Sequence, residues 1–135
     1  MPLRFLLDTN IVSDLVRYPQ GQVADHIARV GEQAISTSVI VAAELRYGAE
    51  KSQSKALSER VELILSALEI LPLEPPADRR YGALRHRLTR EGSTIGPNDL
   101  LIAAHTLAAD LTLVTANTRE FQRVPGLRIE NWLAD

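Results

Sequence analysis

Three carboxylates in this 135-residue chain stand where a plain folding argument would not put them. Asp8 ends the apolar run Leu3-Arg4-Phe5-Leu6-Leu7. Glu44 interrupts Val39-Ile40-Val41-Ala42-Ala43-Glu44-Leu45, and Asp99 opens Asp99-Leu100-Leu101-Ile102-Ala103-Ala104. Carboxylates are rarely buried unless something pairs with them. Three of them, each at the edge of a core-forming segment, point to a shared cation and so to a metal-dependent active site. If they converge without one, their charges repel and at least one pKa rises.

The donor types narrow the metal. The chain has no cysteine, which excludes thiolate ligands and disulfides. His26 and His86 have no metal-ligand spacing, and His105 falls on a different helical face from Asp99. Oxygen-only ligands select a hard ion, Mg²⁺ or in its place Mn²⁺. Other chemistries lack their motifs. There is no Gly-x-x-x-x-Gly-Lys-Ser/Thr loop, no Gly-x-Gly-x-x-Gly and no Gly-x-Ser-x-Gly elbow. Asp8-Thr9-Asn10 lacks the second aspartate of a phosphate-transferring Asp-x-Asp, and a receiver-like phosphoacceptor at Asp8 lacks its adjacent acidic pair.

Each acid also has a plainer reading. Asp8 can cap or turn the chain before Asn10, and Asp99 in a first helical turn complements the helix dipole. Glu44 shares a helix face with Ile40 and Tyr47, an apolar stripe unless its end is exposed and Glu44 pairs with a distant arginine.

The elements that must position these residues alternate. Strands are expected at Leu3 to Leu7, Ala34 to Thr37, Ile70 to Leu73, Leu111 to Thr115 and Leu127 to Glu130. Pro72 marks the third as an edge strand, because proline cannot donate to a central ladder. Helices are expected at Asn10 to Tyr18, Gln22 to Val30 and from Ser38, a plausible N-cap, through Tyr47, with Gly48 at its end or at a kink. Leu57 to Leu68, Pro76 to Glu91 and Pro97 to about Ala109 follow, with Glu120-Phe121 in a short turn or helix. This alternation predicts an α/β fold: three α/β/α layers around a mainly parallel sheet. Ligands of such sheets bind beyond the carboxyl ends of the strands, where Asp8, Ser36 to Ser38 and Thr115 to Asn117 all lie.

Composition sets outer bounds. Residues 1–135 are expected to form one domain, with an ordinary 45% hydrophobic and 24% charged residues. No apolar run is long enough for a membrane span, the N-terminal stretch is too short for a signal peptide, and the lack of cysteine fits the cytoplasm. The net charge of −2 does not attract polyanions. Nucleic-acid binding then needs a metal or a local basic patch, such as Arg79, Arg80, Arg85, Arg87 and Arg90 around His86, or Arg46, Lys51 and Lys55. These basic residues also fit a solvated helix face.

Taken together, the motifs resemble a known family. Asp8-Thr9-Asn10 after an apolar strand is similar to the opening motif of PIN domains. Thr37-Ser38 with Ala43-Glu44-Leu45-Arg46-Tyr47-Gly48 resembles the second motif. Pro97-Asn98-Asp99 through His105 resembles the third, and Val114-Thr115-Ala116-Asn117-Thr118-Arg119-Glu120-Phe121 the fourth. The tail, Arg123-Val124-Pro125-Gly126-Leu127 and Glu130-Asn131-Trp132, is similar to that of VapC toxins of bacterial type II toxin–antitoxin systems.

The resemblance implies a Mg²⁺-dependent endoribonuclease. It carries Asp8, Glu44 and Asp99 over as metal-binding catalytic acids. A fourth acidic position of the wider family falls on Asn117, which can offer an oxygen or orient a water but adds no charge. Thr115 matches a hydroxyl that supports the acids, Asn10 is expected to fix the loop beside Asp8, and Ala116 stands where related chains often carry a polar residue. Attack on the RNA phosphodiester would leave a 5′-phosphate and a 3′-hydroxyl. Glu44 or Asp99 would orient or deprotonate the water. The resemblance further implies a homodimer, a cognate VapB-like antitoxin whose tail lies over helices near the acids, and a structured RNA substrate such as transfer RNA, with initiator transfer RNA favoured. The alternative is a catalytically weak metal-binding or interaction module acting through the antitoxin complex at DNA, and Asn117 is the feature that favours it.

Overall fold

The computed structural model describes residues 2–133. Phe5–Leu7 forms β1, buried along its whole length, and Asp8 caps the helix α1, Thr9–Arg17. Helix α2, Gln22–Val30, stops at Gly31, whose φ of 95° ordinary side chains rarely adopt. A 3₁₀ turn at Glu32–Ala34 leads into β2, Ile35–Ser38. Helices α3, Val39–Ser52, and α4, Lys55–Ala67, precede β3, Glu69–Leu71. Then come α5, Ala77–Arg90, α6, Pro97–Ala108, β4, Thr112–Val114, the short α7, Thr118–Phe121, and β5, Ile129–Glu130.

The sheet runs in the order β3-β2-β1-β4-β5, and every pairing is parallel. The expected three-layer α/β/α class holds, with a sheet that is parallel throughout rather than mainly so. Right-handed crossovers from β1 out to β3 carry α1 to α4 to one face, where α1 packs on α2, α3 and α4. The return from β3 to β4 carries α5 and α6, packed along each other, to the opposite face. Covered on both sides, Phe5, Leu6, Leu7, Leu113 and Val114 sit at the centre of the core. β3 takes the predicted edge, and its ladder stops before Pro72.

Two local expectations need correction. Gly48 does not end α3; the helix runs on to Ser52 and ends at Gln53, φ 55°. A glycine inside a helix costs about 1 kcal/mol, and burial of Leu45 and Ala49 on either side of Gly48 offsets it. The stripe of Ile40, Glu44 and Tyr47 is also not the buried face. That face carries Val41, Ala42, Leu45 and Ala49, and Tyr47 is 68% exposed. Glu44 stands at the boundary between core and solvent.

Candidate functional site: a carboxylate pocket at the sheet edge

β1 ends at the carboxyl edge of the sheet, between β2 and β4, so the residue after it emerges at the crossover point of the fold. That residue is Asp8, only 3% exposed. Its backbone N–H continues the ladder to Val114, and its side chain is held on both oxygens. Oδ1 accepts from the Thr9 N–H at 2.8 Å, and Oδ2 accepts from the Thr115 hydroxyl at 2.8 Å. Burial pushes the Asp8 carboxyl above its usual range, the bonds from Thr115 and Thr9 work against this, and the charges of Glu44 and Glu120 add to it.

Glu44 reaches the same edge from the second turn of α3, whose first turn is fixed where the Ile40 N–H donates to Ser38 Oγ. One Glu44 oxygen accepts from the Thr9 hydroxyl, and the other accepts from Asn98 Nδ2 at 3.2 Å. Asp99 lies in the first turn of α6, which opens on Pro97. Its carboxyl is pushed up to about 7, first by burial and then by the negative charges of Asp8 and Glu120. The charge of Glu44 thus acts on both Asp8 and Asp99, and that of Asp8 on Asp99, which places the three carboxyls near one another at this edge.

Asn117 Nδ2 donates to Glu120 Oε2 at 2.8 Å, which leaves its Oδ1 for the role expected of it. The fourth carboxylate at the pocket belongs to Glu120, which sequence reasoning passed over. Glu120 Oε1 accepts from the Gly96 N–H at 2.7 Å, and its carboxylate meets the carboxyl of Asp99. Burial raises the Glu120 pKa, but the bonds from Gly96, Asn117 and Asp99 and the charge of Arg123 outweigh it and hold it low. The spacing Asn117-x-x-Glu120 at the start of a helix is that of a capping box, in which an acid at the third position turns back toward the cap. That was the available signal.

The supporting polar residues bind the two halves of the pocket. Asn10 Oδ1 accepts from the Ala116 N–H at 3.2 Å, which ties α1 to the loop after β4. Thr115 Oγ1 accepts from the Asn117 N–H at 2.9 Å while donating to Asp8. The histidines serve elsewhere. His26 stacks on Trp132 with ring centroids 4.9 Å apart, and His105 is buried with Nδ1 2.7 Å from Ser38 Oγ.

The described ion pairs, Arg46–Glu62, Arg87–Glu91 and Arg128–Asp110, involve none of the four acids. The pocket is thus rich in oxygen donors and short of positive charge. Among the described residues, no group of three or more His, Cys, Asp or Glu side chains is placed so as to hold a metal ion as it stands. The oxygens of Asp8, Glu44 and Glu120 accept from Thr9, Asn98, Thr115 and Gly96.

Known proteins share this arrangement of chain and fold. The PIN domain family model matches residues 5–127. Ribonuclease VapC2 of Rickettsia felis is 41% identical over 130 residues, covering 95% of this chain and 97% of that protein. The tRNA(fMet)-specific endonuclease VapC of Shigella flexneri is 38% identical over 135 residues, covering 96% and 98%. Among solved structures, VapBC2 from Rickettsia felis bound to a DNA fragment from its promoter superposes with a TM-score of 0.90 at 38% identity, over 98% of this chain and 99% of that one. PIN-domain nucleases are generally dependent on divalent metals. The chain belongs to the PIN-domain family and groups within it with the VapC proteins.

Proposed function

We propose that this chain is a Mg²⁺-dependent endoribonuclease toxin, residues 1–135 forming a single PIN-like domain, with Mn²⁺ able to replace Mg²⁺. What supports the reading is that the charges of Asp8, Glu44 and Glu120 all act on Asp99, and those of Glu44 and Glu120 on Asp8, at the carboxyl edge of the sheet. Four carboxylates, none of them in an ion pair among the described residues, have the donor chemistry of a hard-metal site. Identity to named ribonucleases over nearly the whole chain supports the RNA substrate.

Asp8, Glu44 and Asp99 would hold the metal, with Glu120 beside them. The bound ion supplies Lewis-acid polarisation of the phosphate and a lower pKa for water. This chain's own residues do the rest. Thr115 and the Thr9 N–H hold Asp8 in place. Asn10 fixes the loop after β4, and Asn117 holds Glu120 in α7. Glu44 or Asp99 would orient the attacking water or take its proton.

Transfer RNA is the favoured substrate, initiator transfer RNA in particular, because a 38% identical relative is named for that activity. The exposed arginines of α5, Arg79, Arg80 and Arg90, offer its backbone positive charge. A VapB-like antitoxin is the expected partner. A groove of about 480 Å³ between α1, α3 and α4, lined by Val16, Leu45, Leu57 and Val61, opens beside Glu44 and suits its tail. A homodimer of the toxin and a cytoplasmic location complete the proposal; no helix among the described residues is long and apolar enough to cross a membrane. The weaker-module alternative rests on Asn117, and the charge of Glu120 on Asp99 favours the nuclease reading over it.

The test is cleavage of cellular RNA by the purified chain, with ends mapped after brief induction in cells. Cutting should need Mg²⁺ or Mn²⁺ and stop with chelator. Metal polarisation is worth several kcal/mol in the transition state, so Asp8→Asn and Asp99→Asn should each slow cutting by at least about a hundredfold. Unchanged cutting by either variant rejects the assignment.

A further inference from the structure

Glu44 is half-buried and sits off the packed face of α3. Two residues restrain it. The Thr9 hydroxyl donates to Oε1 while the Thr9 backbone N–H donates to Asp8 Oδ1 at 2.8 Å. Asn98 Nδ2 donates to Oε2 at 3.2 Å. Thr9 directly follows Asp8 and Asn98 directly precedes Asp99. The chain neighbours of the two aspartates thus grip the third acid, one on each of its oxygens.

We infer that Thr9 and Asn98 are positioning residues that hold Glu44 in register with Asp8 and Asp99 for a divalent cation. This rests on the metal-site reading above. Each carboxylate oxygen has two lone pairs, so one donor on each leaves the other free for an ion. Both donors are neutral, so they orient the glutamate without neutralising it, as a lysine or arginine would. Outer hydrogen bonds of this type commonly set metal affinity by 10–100-fold.

The experiment is Mn²⁺ titration of the purified full chain, read by calorimetry and by the electron paramagnetic resonance of free Mn²⁺. Thr9→Val, Thr9→Ser and Asn98→Ala are compared with wild type, and Asp8→Asn serves as the reference for loss of the site. Thr9→Val and Asn98→Ala should each weaken Mn²⁺ binding by roughly tenfold. Thr9→Ser, which keeps the hydroxyl, should bind close to wild type. Wild-type affinity in Thr9→Val and Asn98→Ala overturns the inference, as does a Thr9→Ser loss equal to that of Thr9→Val. Should Thr9→Val fail to fold, Asn98→Ala decides alone, since Asn98 is exposed. If wild type and Asp8→Asn take up Mn²⁺ equally, the metal-site reading falls and this inference with it; a difference between those two with none at Thr9 or Asn98 sinks only the inference.

Discussion

The carboxyls of Asp99 and Glu120 meet across the pocket, a contact that is a hydrogen bond only while one of them is protonated. The proton belongs to Asp99, which is pushed up to about 7, while Glu120 is held below its usual range by Gly96, Asn117 and Arg123. Two acids from distant parts of the chain are therefore held in unlike states by unlike surroundings, an arrangement that a cation would reverse by displacing the proton.

This pair sets the pH dependence of the metal-free protein. The Asp99 pKa is raised on folding, so the folded state binds more protons than the unfolded one between the ordinary value of 3.8 and about 7. Its contribution to stability is full below about 3.8 and is lost as pH rises through about 7. Asp8 adds the same sign and Glu120 the opposite. Melting of the chelator-treated chain should fall across this window and the fall should flatten in Asp99→Asn. A melting temperature that rises across the window in wild type would refute the raised pKa.

Glu120→Gln removes one of the charges that raise Asp99 and Asp8. The Asp99 pKa should drop toward its ordinary range, which carbon-13 NMR of the labelled carboxyl reads directly. Mn²⁺ affinity should fall by about tenfold. Asn117→Asp, the substitution that a ligand at position 117 would welcome, should not raise affinity, because the side chain at 117 faces Glu120 and would repel it. Tighter binding in Asn117→Asp would make position 117 a metal ligand.

Thr115→Val keeps the shape of a fully buried side chain and deletes its hydroxyl. Asp8 Oδ2 loses its donor and the Asn117 N–H loses its acceptor. Leaving a buried group unsatisfied costs about 1–3 kcal/mol. Melting should drop by several degrees, about 4 °C or more, and RNA cleavage should fall with it. Wild-type melting would mean that the Asp8–Thr115 bond contributes nothing.

Glu44→Gln tests the repulsion directly. Without metal the substitution should raise the melting temperature, by up to about 4 °C, since an amide keeps the oxygen that Asn98 needs and can turn its NH₂ to the Thr9 oxygen. With saturating Mg²⁺ the ranking should invert. A drop in both states would make Glu44 an ordinary structural residue.

Much of this protein was legible from residues read one after another. Hydrophobic runs bounded by Pro, Gly and capping residues located the strands and helices, because those signals act within a few residues. Gln22–Val30 and the Pro97 start of α6 match the expectation, and Pro72 placed β3 at the sheet edge. Asp8 was legible because a charge directly after a buried strand has nowhere to go but the strand's end. The tertiary structure alone decided what depends on contacts between distant segments. It brought Glu120 to the Gly96 N–H and to Asn117, contacts that sequence spacing does not reveal. It put Glu44 at the boundary of the core rather than within its stripe, because the face α3 buries is set by α1 and α4 packed against it. Local chemistry determines which acids the chain carries and where each element begins; only packing determines which of them come near one another.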